Sequence, residues 1–150
     1  MKYFVGLLIL FAVQHIKAQP GIPFPTEEPV AVQDSVFQIV NDVPVFQGCS
    51  EVSSDERQQC SISGVMKFLA KNTIYPEQAK EEGLEGTVYV RMLVLKDGSV
   101  SDVRVLRGVN PILDQEAIRV VSMLKYDQPA MMNGKPVIFE QNIPIKFKLN

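Results

Sequence analysis

The stretch that decides the fold spans residues 86–106 and reads GTVYVRMLVLKDGSVSDVRVL. In its first half, Val88, Val90, Met92 and Val94 fall on one face of an extended chain. This period of two is typical of a β-strand with one buried face. Asp97-Gly98 predicts a two-residue hairpin turn, in which both residues would have positive φ. We therefore expect an antiparallel hairpin with strands over residues 87–95 and 100–106.

Helix signals lie on both sides of this hairpin. Residues 55–71 have apolar side chains at helical spacing, and Pro76 and Gly83 bracket a second, short helix. Asn110 followed by proline predicts the start of a third helix. A last strand is expected over residues 137–149, where apolar and polar residues alternate again. The order α-α-β-β-α-β predicts an α+β fold, a three-stranded antiparallel sheet with helices on one face.

The last strand is predicted to lie at an edge of the sheet. A crossover through the third helix favours the strand order 2-1-3, with the first hairpin strand in the middle. Pro144 fits an edge, because proline cannot donate a ladder hydrogen bond. An edge strand with one apolar face is suited to pairing with an extended peptide from a partner, a mode called β-augmentation.

The first helix has an apolar stripe made of Ile62, Val65, Met66 and Leu69. These residues follow the i, i+3, i+4, i+7 pattern of an amphipathic helix. We expect the whole stripe to pack on the sheet.

The N-terminus has the pattern of a secretory signal peptide. Lys2 precedes an apolar run over residues 3–13, and Ala18 supplies a small residue for cleavage. The run is about half the length that a membrane span requires. We expect residues 1–18 to be removed on export, and the alternative is a short uncleaved membrane anchor. The intact mass of protein from the native envelope decides between the two.

After this segment, the chain is expected to divide into a leader and one domain. Residues 19–44 hold five of the ten prolines and predict an extended leader. Residues 36–40 are apolar enough to form a short strand added to the domain. The domain itself is expected over residues 45–150.

Charge and histidine content argue against several classes of function. Removal of residues 1–18 deletes two lysines and no acid, so the net charge changes from −2 to −4. An acidic chain without a basic cluster is a poor nucleic-acid binder. His15, the single histidine, lies in the removed segment, which argues against His-dependent nucleophilic sites and the usual zinc sites. We expect neither an enzyme nor a cofactor.

Cys49 and Cys60 are the two cysteines of the chain. In an exported protein such a pair predicts a structural disulfide. A redox-active role is the alternative, but the spacing is not Cys-x-x-Cys.

The ordered series from Tyr75-Pro76 through Asp97-Gly98 to Asn133-Gly134-Lys135-Pro136 and the last strand resembles the C-terminal domain of TonB-type energy transducers. The resemblance covers residues 75–150 well and 43–74 more loosely. It implies binding of a short segment of an outer-membrane receptor, in energy-coupled transport. The implied site residues are Tyr75, Pro76, Val137, Phe139, Gln141, Ile143, Ile145 and Phe147. It also implies a periplasmic location. If the chain is instead anchored on the periplasmic side of the inner membrane, the resemblance implies proton-channel proteins of that membrane as partners.

The chain departs from this family in two features. Lys125-Tyr126-Asp127 stands where the family usually has a tryptophan, and a long Lys-Pro or Glu-Pro spacer is lacking. Two hypotheses therefore remain. The chain is either a transducer-like protein that serves a receptor, or a secreted interaction module that uses the same edge strand on another partner or on a second copy as a homodimer.

Overall fold

The hairpin at residues 86–107 forms the centre of the structure, a computed structural model that describes residues 35–149. The predicted signal peptide and most of the predicted leader lie outside the described residues. The elements are β1 (Val36–Phe37), β2 (Val45–Phe46), α1 (Ser54–Asn72), α2 (Glu77–Glu81), β3 (Gly86–Val94), β4 (Val100–Arg107), α3 (Pro111–Ser122), β5 (Tyr126–Gln128), β6 (Ala130–Met132) and β7 (Lys135–Phe147).

The three long strands have the predicted order. β3 lies between β4 and β7 and is antiparallel to both, and its register with β7 runs without interruption from Gly86–Phe147 to Val94–Phe139. The prediction of three strands was too low, because β1 pairs with β7 in parallel and β6 pairs with the first residues of β7. β7 has 13 residues and β3 has nine, so the start of β7 extends beyond its pairing with β3.

The folded unit begins before residue 45, the expected boundary between leader and domain. The described residues, 35–149, lie within one compact unit. Val36 and Phe37 pair with Ile138 and Phe139, which confirms the expected strand in this region. Asp42 pairs with Met131 further along. Residues 35–44 therefore add to the sheet through backbone hydrogen bonds that the proline content alone does not reveal.

The core lies between the sheet and the helices. The four β3 residues predicted to share a face are fully buried, and α3 packs against them with Leu113, Ala117, Val120 and Val121. Asn110 caps α3 as predicted, because its side-chain oxygen accepts a hydrogen bond from the Ile112 amide at 2.9 Å. Helix packing against one face leaves the opposite face of the sheet uncovered by any helix in the described region.

The turn between β3 and β4 differs from the prediction. Gly98 has φ +82°, but Asp97 does not have positive φ. The Gly98 amide donates to the Leu95 carbonyl at 2.9 Å, and the Leu95 amide donates to the Ser99 carbonyl at 2.8 Å. The loop thus has three residues, and only the last requires the left-handed conformation that glycine provides.

The predicted pairing of Cys49 with Cys60 is present, with the two Cα atoms 5.8 Å apart. It joins the loop after β2 to α1. The Phe46 amide donates to the Ser61 hydroxyl at 3.1 Å, so β2 is held to α1 at a second point.

We expect Cys60→Ser to lower the free energy of unfolding by about 2–3 kcal/mol, because opening a loop of this size restores chain entropy to the unfolded state. Urea unfolding measures the change. Wild-type protein under reducing conditions is the control and should behave like the variant. An unchanged unfolding midpoint would contradict a stabilising bridge.

Candidate partner-binding site

The outer edge of β7 is only partly covered. Phe139 pairs with Val94 of β3 and with Phe37 of β1, so β1 and β3 lie on opposite sides of β7. Gln38 follows β1, and its side chain donates to Glu140 at 2.9 Å. From Gln141 to Phe147, no strand among residues 35–149 pairs with β7 on the side away from β3. We call residues 141–147 the open edge.

Pro144 indicates which backbone groups the open edge offers. It pairs with Tyr89 in the middle of an unbroken ladder, although it has no N–H to donate. Along an antiparallel strand, successive residues direct their backbone N–H and C=O groups alternately towards and away from a given neighbouring strand. Because Pro144 has no N–H, it belongs to the set that points away from β3, and the other even-numbered residues of β7 belong to the same set. The open edge therefore presents the N–H groups of Asn142 and Lys146, with the carbonyl of Pro144 between them.

The predicted site residues of β7 mostly face the core. Ile143, Ile145 and Phe147 are 2–4% exposed. The remaining three, Val137, Phe139 and Gln141, are half-buried. Gln141 accepts a hydrogen bond from the Tyr126 hydroxyl at 2.9 Å. A partner at this edge would thus meet the backbone of these residues rather than their side chains.

Tyr75 lies beside the end of β7. Its ring packs edge-to-face on Phe147, with centroids 5.7 Å apart, and its hydroxyl donates to the Leu84 carbonyl. Burial, with a smaller contribution from the Glu85 carboxylate, raises the pKa of Tyr75. Pro76 is the N-cap of α2 rather than its first helical residue, and it does not line the cavities along β7. Of the predicted pair, the structure brings Tyr75 to the open edge.

Two apolar cavities lie between α1 and β7. The first has a volume of about 310 Å³ and is lined by Met66, Leu69, Ala70, Thr73, Tyr75 and residues 144–148. The second has a volume of about 190 Å³, and its lining includes Ile62, Val65, Tyr126, Phe139 and Gln141. The sequence did not identify these cavities, because its apolar stripe on α1 does not distinguish core residues from cavity residues.

The stripe on α1 is in fact divided. Val65 and Leu69 are 6% and 5% exposed, as predicted, whereas Ile62 and Met66 are each 52% exposed. The expectation that all four pack on the sheet was therefore wrong for two of them. A single helix can direct only part of a wide stripe at the sheet.

A buried carboxylate fixes the segment that carries Tyr75. Glu116 of α3 is 9% exposed and accepts a hydrogen bond from the Ile74 amide at 2.6 Å. Arg119 donates to the same carboxylate at 2.7 Å and to the Asn72 carbonyl at 2.8 Å. Burial raises the pKa of Glu116, but hydrogen bonds from Arg119 and Ile74 together outweigh burial, so the pKa lies below its usual range.

We expect Glu116→Gln to destabilise the domain by about 1–2 kcal/mol at neutral pH, because the charge-assisted hydrogen bonds are weakened. A lowered folded pKa means that this stability is present above the unfolded pKa and is lost as pH falls through the folded pKa. The difference from wild type should therefore shrink towards pH 3. Urea unfolding at pH 7 and pH 3 measures it.

Glu77→Gln is the matched control, because Glu77 forms another i,i+3 ion pair, with Lys80, but at an exposed site. Its effect should stay below about 0.5 kcal/mol. Equal effects of the two substitutions would contradict a special role for the buried carboxylate.

The uncovered face of the sheet carries an ionic cluster next to the open edge. Arg91 contacts Asp102 at 2.5 Å and Glu140 at 2.6 Å, and Arg104 also contacts Asp102. Hydrogen bonds from Arg104 and Arg91 hold the pKa of Asp102 below its usual range, and Arg91 does the same for Glu140. Because Gln38 also binds Glu140, this cluster ties the segment after β1 to the sheet.

Residues 35–149 offer neither a membrane-spanning helix nor a metal-ligating cluster. No helix described there is long and apolar enough to cross a membrane. The same part of the chain holds no cluster of three or more metal-ligating residues.

Comparison with known proteins identifies the family. The model described as "Gram-negative bacterial TonB protein C-terminal" matches residues 71–149, more than half of the chain. The chain belongs to the TonB C-terminal family. This family is defined by a transport-associated domain and is not a known enzyme family.

Curated relatives match about half of the chain. Protein tonB2 of Pseudomonas aeruginosa is 38% identical over 77 residues, which cover 51% of this chain and 28% of that protein. Protein TonB of Vibrio cholerae is 33% identical over 76 residues, which cover 50% of this chain and 31% of that protein. The chain therefore spans less than a third of the length of these TonB relatives.

Solved TonB domains are also similar. An NMR structure of the Helicobacter pylori TonB C-terminal domain aligns with a TM-score of 0.48 at 22% identity, and covers 67% of this chain and 98% of that chain. The NMR structure of the corresponding Pseudomonas aeruginosa domain aligns with a TM-score of 0.39 at 23% identity. The alignment covers 52% of this chain and 81% of that chain.

Proposed function

We propose that this chain is a periplasmic protein-binding domain of the TonB type. It recognises a short, extended segment of an outer-membrane receptor by β-augmentation, in energy-coupled transport. The observation that carries this proposal is the open edge of β7, a seven-residue stretch with two outward N–H groups in a domain of the TonB family.

The pairing of β1 supports this mode of binding. Val36 and Phe37 form a short extended segment that lies on the same side of β7, immediately before the open edge. Edge strands bind peptides through main-chain hydrogen bonds, while side-chain pockets supply specificity. The rest of the edge offers the same kind of backbone groups to a partner.

Amide hydrogen exchange tests the proposal with residue resolution. Synthetic peptides that cover short segments of outer-membrane receptors in the native envelope are the probes. The amides of Asn142 and Lys146 should gain protection, whereas Ile143, Ile145 and Phe147 should change little because their amides already face β3. Protection that appears only on α1 or α3 would mean that the open edge is not the binding site.

The alternative is a secreted interaction module that uses the same edge without energy transduction. The short apolar run at residues 3–13 favours it, since removal of residues 1–18 would release the domain into the periplasm. Protein of full mass in the membrane fraction would instead support an anchored transducer that works with inner-membrane proton-channel proteins. Protection of Asn142 and Lys146 that rises with protein concentration, without peptide, would reveal a homodimer through the edge.

A further inference from the structure

A third cavity lies beside the N-terminal half of α1. It has a volume of about 500 Å³, and the open edge contributes none of its lining. We call it the polar cavity, and we call the cavity of about 190 Å³ the apolar cavity. The segments 40–45 and 128–131 supply part of the polar lining, and α1 supplies four polar residues, Ser54, Arg57, Gln58 and Ser61.

One face of α1 connects the two cavities. The four polar residues follow the i, i+3, i+4, i+7 spacing that places side chains on one side of a helix. Ile62 and Val65 continue this face by one turn and line the apolar cavity. The two cavities adjoin, because both are lined by Val43, Pro44, Gln58 and Ser61. A ligand that enters both would therefore meet polar groups at one end and apolar groups at the other.

Arg57 is the one cation among the described residues that line the polar cavity. Its side chain is half-buried, and its Nε is buried without a hydrogen-bond partner in residues 35–149. Its Nη2 lies 3.4 Å from the Val52 carbonyl oxygen, which is long for a hydrogen bond. A buried donor without a partner is costly, and the planar guanidinium matches the two oxygens of a carboxylate. A bound carboxylate would thus supply the partner that the protein does not.

The neighbouring polar groups fit the same ligand. The Gln58 side chain has no hydrogen-bond partner within the described residues, so its amide can donate to a carboxylate oxygen. Both groups lie in the first turns of α1, where the helix dipole favours negative charge. Asp42 also lines the cavity, but it is exposed and makes no ion pair with Arg57 within residues 35–149, so water screens its charge.

We infer that the adjoining cavities bind an aliphatic carboxylate, with its charged end at Arg57 and Gln58 and its chain beside Ile62 and Val65. A cavity of roughly 150 Å³ accommodates benzene, so the apolar cavity of about 190 Å³ holds a chain of similar carbon number. A free short-chain acid and the C-terminus of a peptide with an aliphatic last residue share this chemistry. The site is separate from the open edge and does not depend on β-augmentation.

An NMR titration of the full, nitrogen-15-labelled chain with sodium hexanoate tests the inference. The backbone amides of Arg57, Gln58 and Ile62 should shift and saturate, with a Kd on the order of 1 mM for a ligand of this size. Hexan-1-ol has the same chain without the charge and should bind at least about fivefold more weakly. Affinity should rise from acetate through butyrate to hexanoate by up to about fourfold per buried CH₂.

Arg57→Gln should weaken hexanoate binding at least tenfold and leave the binding of hexan-1-ol unchanged, because it removes the charge and keeps a polar side chain. Arg107→Gln is the matched control, since Arg107 lies over the Tyr89 ring on β4 and lines neither cavity. It should change hexanoate binding less than twofold. Saturating hexanoate should raise the urea midpoint of wild type and of Arg107→Gln, but not that of Arg57→Gln.

A third comparison distinguishes the two sources of the carboxylate. N-acetyl-glycyl-leucine with a free C-terminus should bind more tightly than hexanoate if the site takes a peptide C-terminus, and more weakly if it takes a free acid. The amide of the same peptide should not bind in either case.

Several results would overturn the inference. Equal affinity for hexanoate and hexan-1-ol would exclude a role of the Arg57 charge, and equal affinity for acetate and hexanoate would exclude the apolar cavity. Shifts confined to Lys146 and Lys148 would show that hexanoate binds surface charge only. None of these results would bear on the proposed function, because the open edge is tested by protection of its own amides.

Discussion

Asn142→Pro should reduce partner binding more than tenfold while the domain remains folded. By the alternation that Pro144 establishes, the Asn142 N–H points away from β3, so proline there removes no hydrogen bond of the β3–β7 ladder. It removes one of the two outward donors of the open edge. The proline ring also occupies the space that a paired strand needs.

Asn142→Thr is the matched control, because threonine retains the N–H and is favoured in strands. It should bind within about twofold of wild type. Affinity for a receptor-derived peptide is measured by fluorescence anisotropy, and circular dichroism verifies that both variants are folded. Equal binding of a folded Asn142→Pro variant would exclude recognition through this part of the backbone.

Gly98→Ala should destabilise the domain by at least about 3 kcal/mol more than Gly134→Ala. Both glycines have positive φ, +82° and +74°, in turns that precede a strand. A Cβ at Gly98 would lie 2.2 Å from the backbone oxygen of Tyr126, whereas a Cβ at Gly134 would meet nothing within 4 Å. The shared conformational cost of roughly 1 kcal/mol cancels in this comparison, and the difference isolates the clash.

The backbone of Tyr126 cannot move away from residue 98 without losing a hydrogen bond, because its amide donates to the Gly98 carbonyl at 3.0 Å. Urea unfolding of the two variants measures the difference. The hairpin itself can re-form around alanine, so β5 is the element expected to shift. Equal destabilisation at the two sites would show that backbone conformation alone, rather than close approach, requires glycine at position 98.

Local patterns in the sequence correctly predicted features of the long strands and of α3. Alternation in β3 and β7 predicted which residues face the core, and Ile143, Ile145 and Phe147 are buried accordingly. The helix-start pair Asn110-Pro111 predicted the beginning of α3. These predictions were confirmed because period, capping and proline geometry act within a few residues of the chain.

Contacts between residues that are distant in sequence could not be predicted from such patterns. Glu116 is buried, and its hydrogen bond to Ile74 spans 42 positions. The sequence identifies Gly98 as a turn residue, but it does not show that a side chain there would collide with the Tyr126 carbonyl of another strand. Neither contact has a local signature, because both depend on which elements the fold brings together.

The sequence by itself determined that this chain has a TonB-type α+β domain with an amphipathic last strand. Only the tertiary structure decided which part of that strand remains open. β1 pairs with Ile138 and Phe139, and this contact across about 100 residues limits the open edge to residues 141–147. The tertiary structure also decided that Ile62 and Met66 border this edge while Val65 and Leu69 enter the core. The physical reason is that helical spacing fixes which residues share a face, whereas the docking angle of α1 on the sheet fixes which of them are buried.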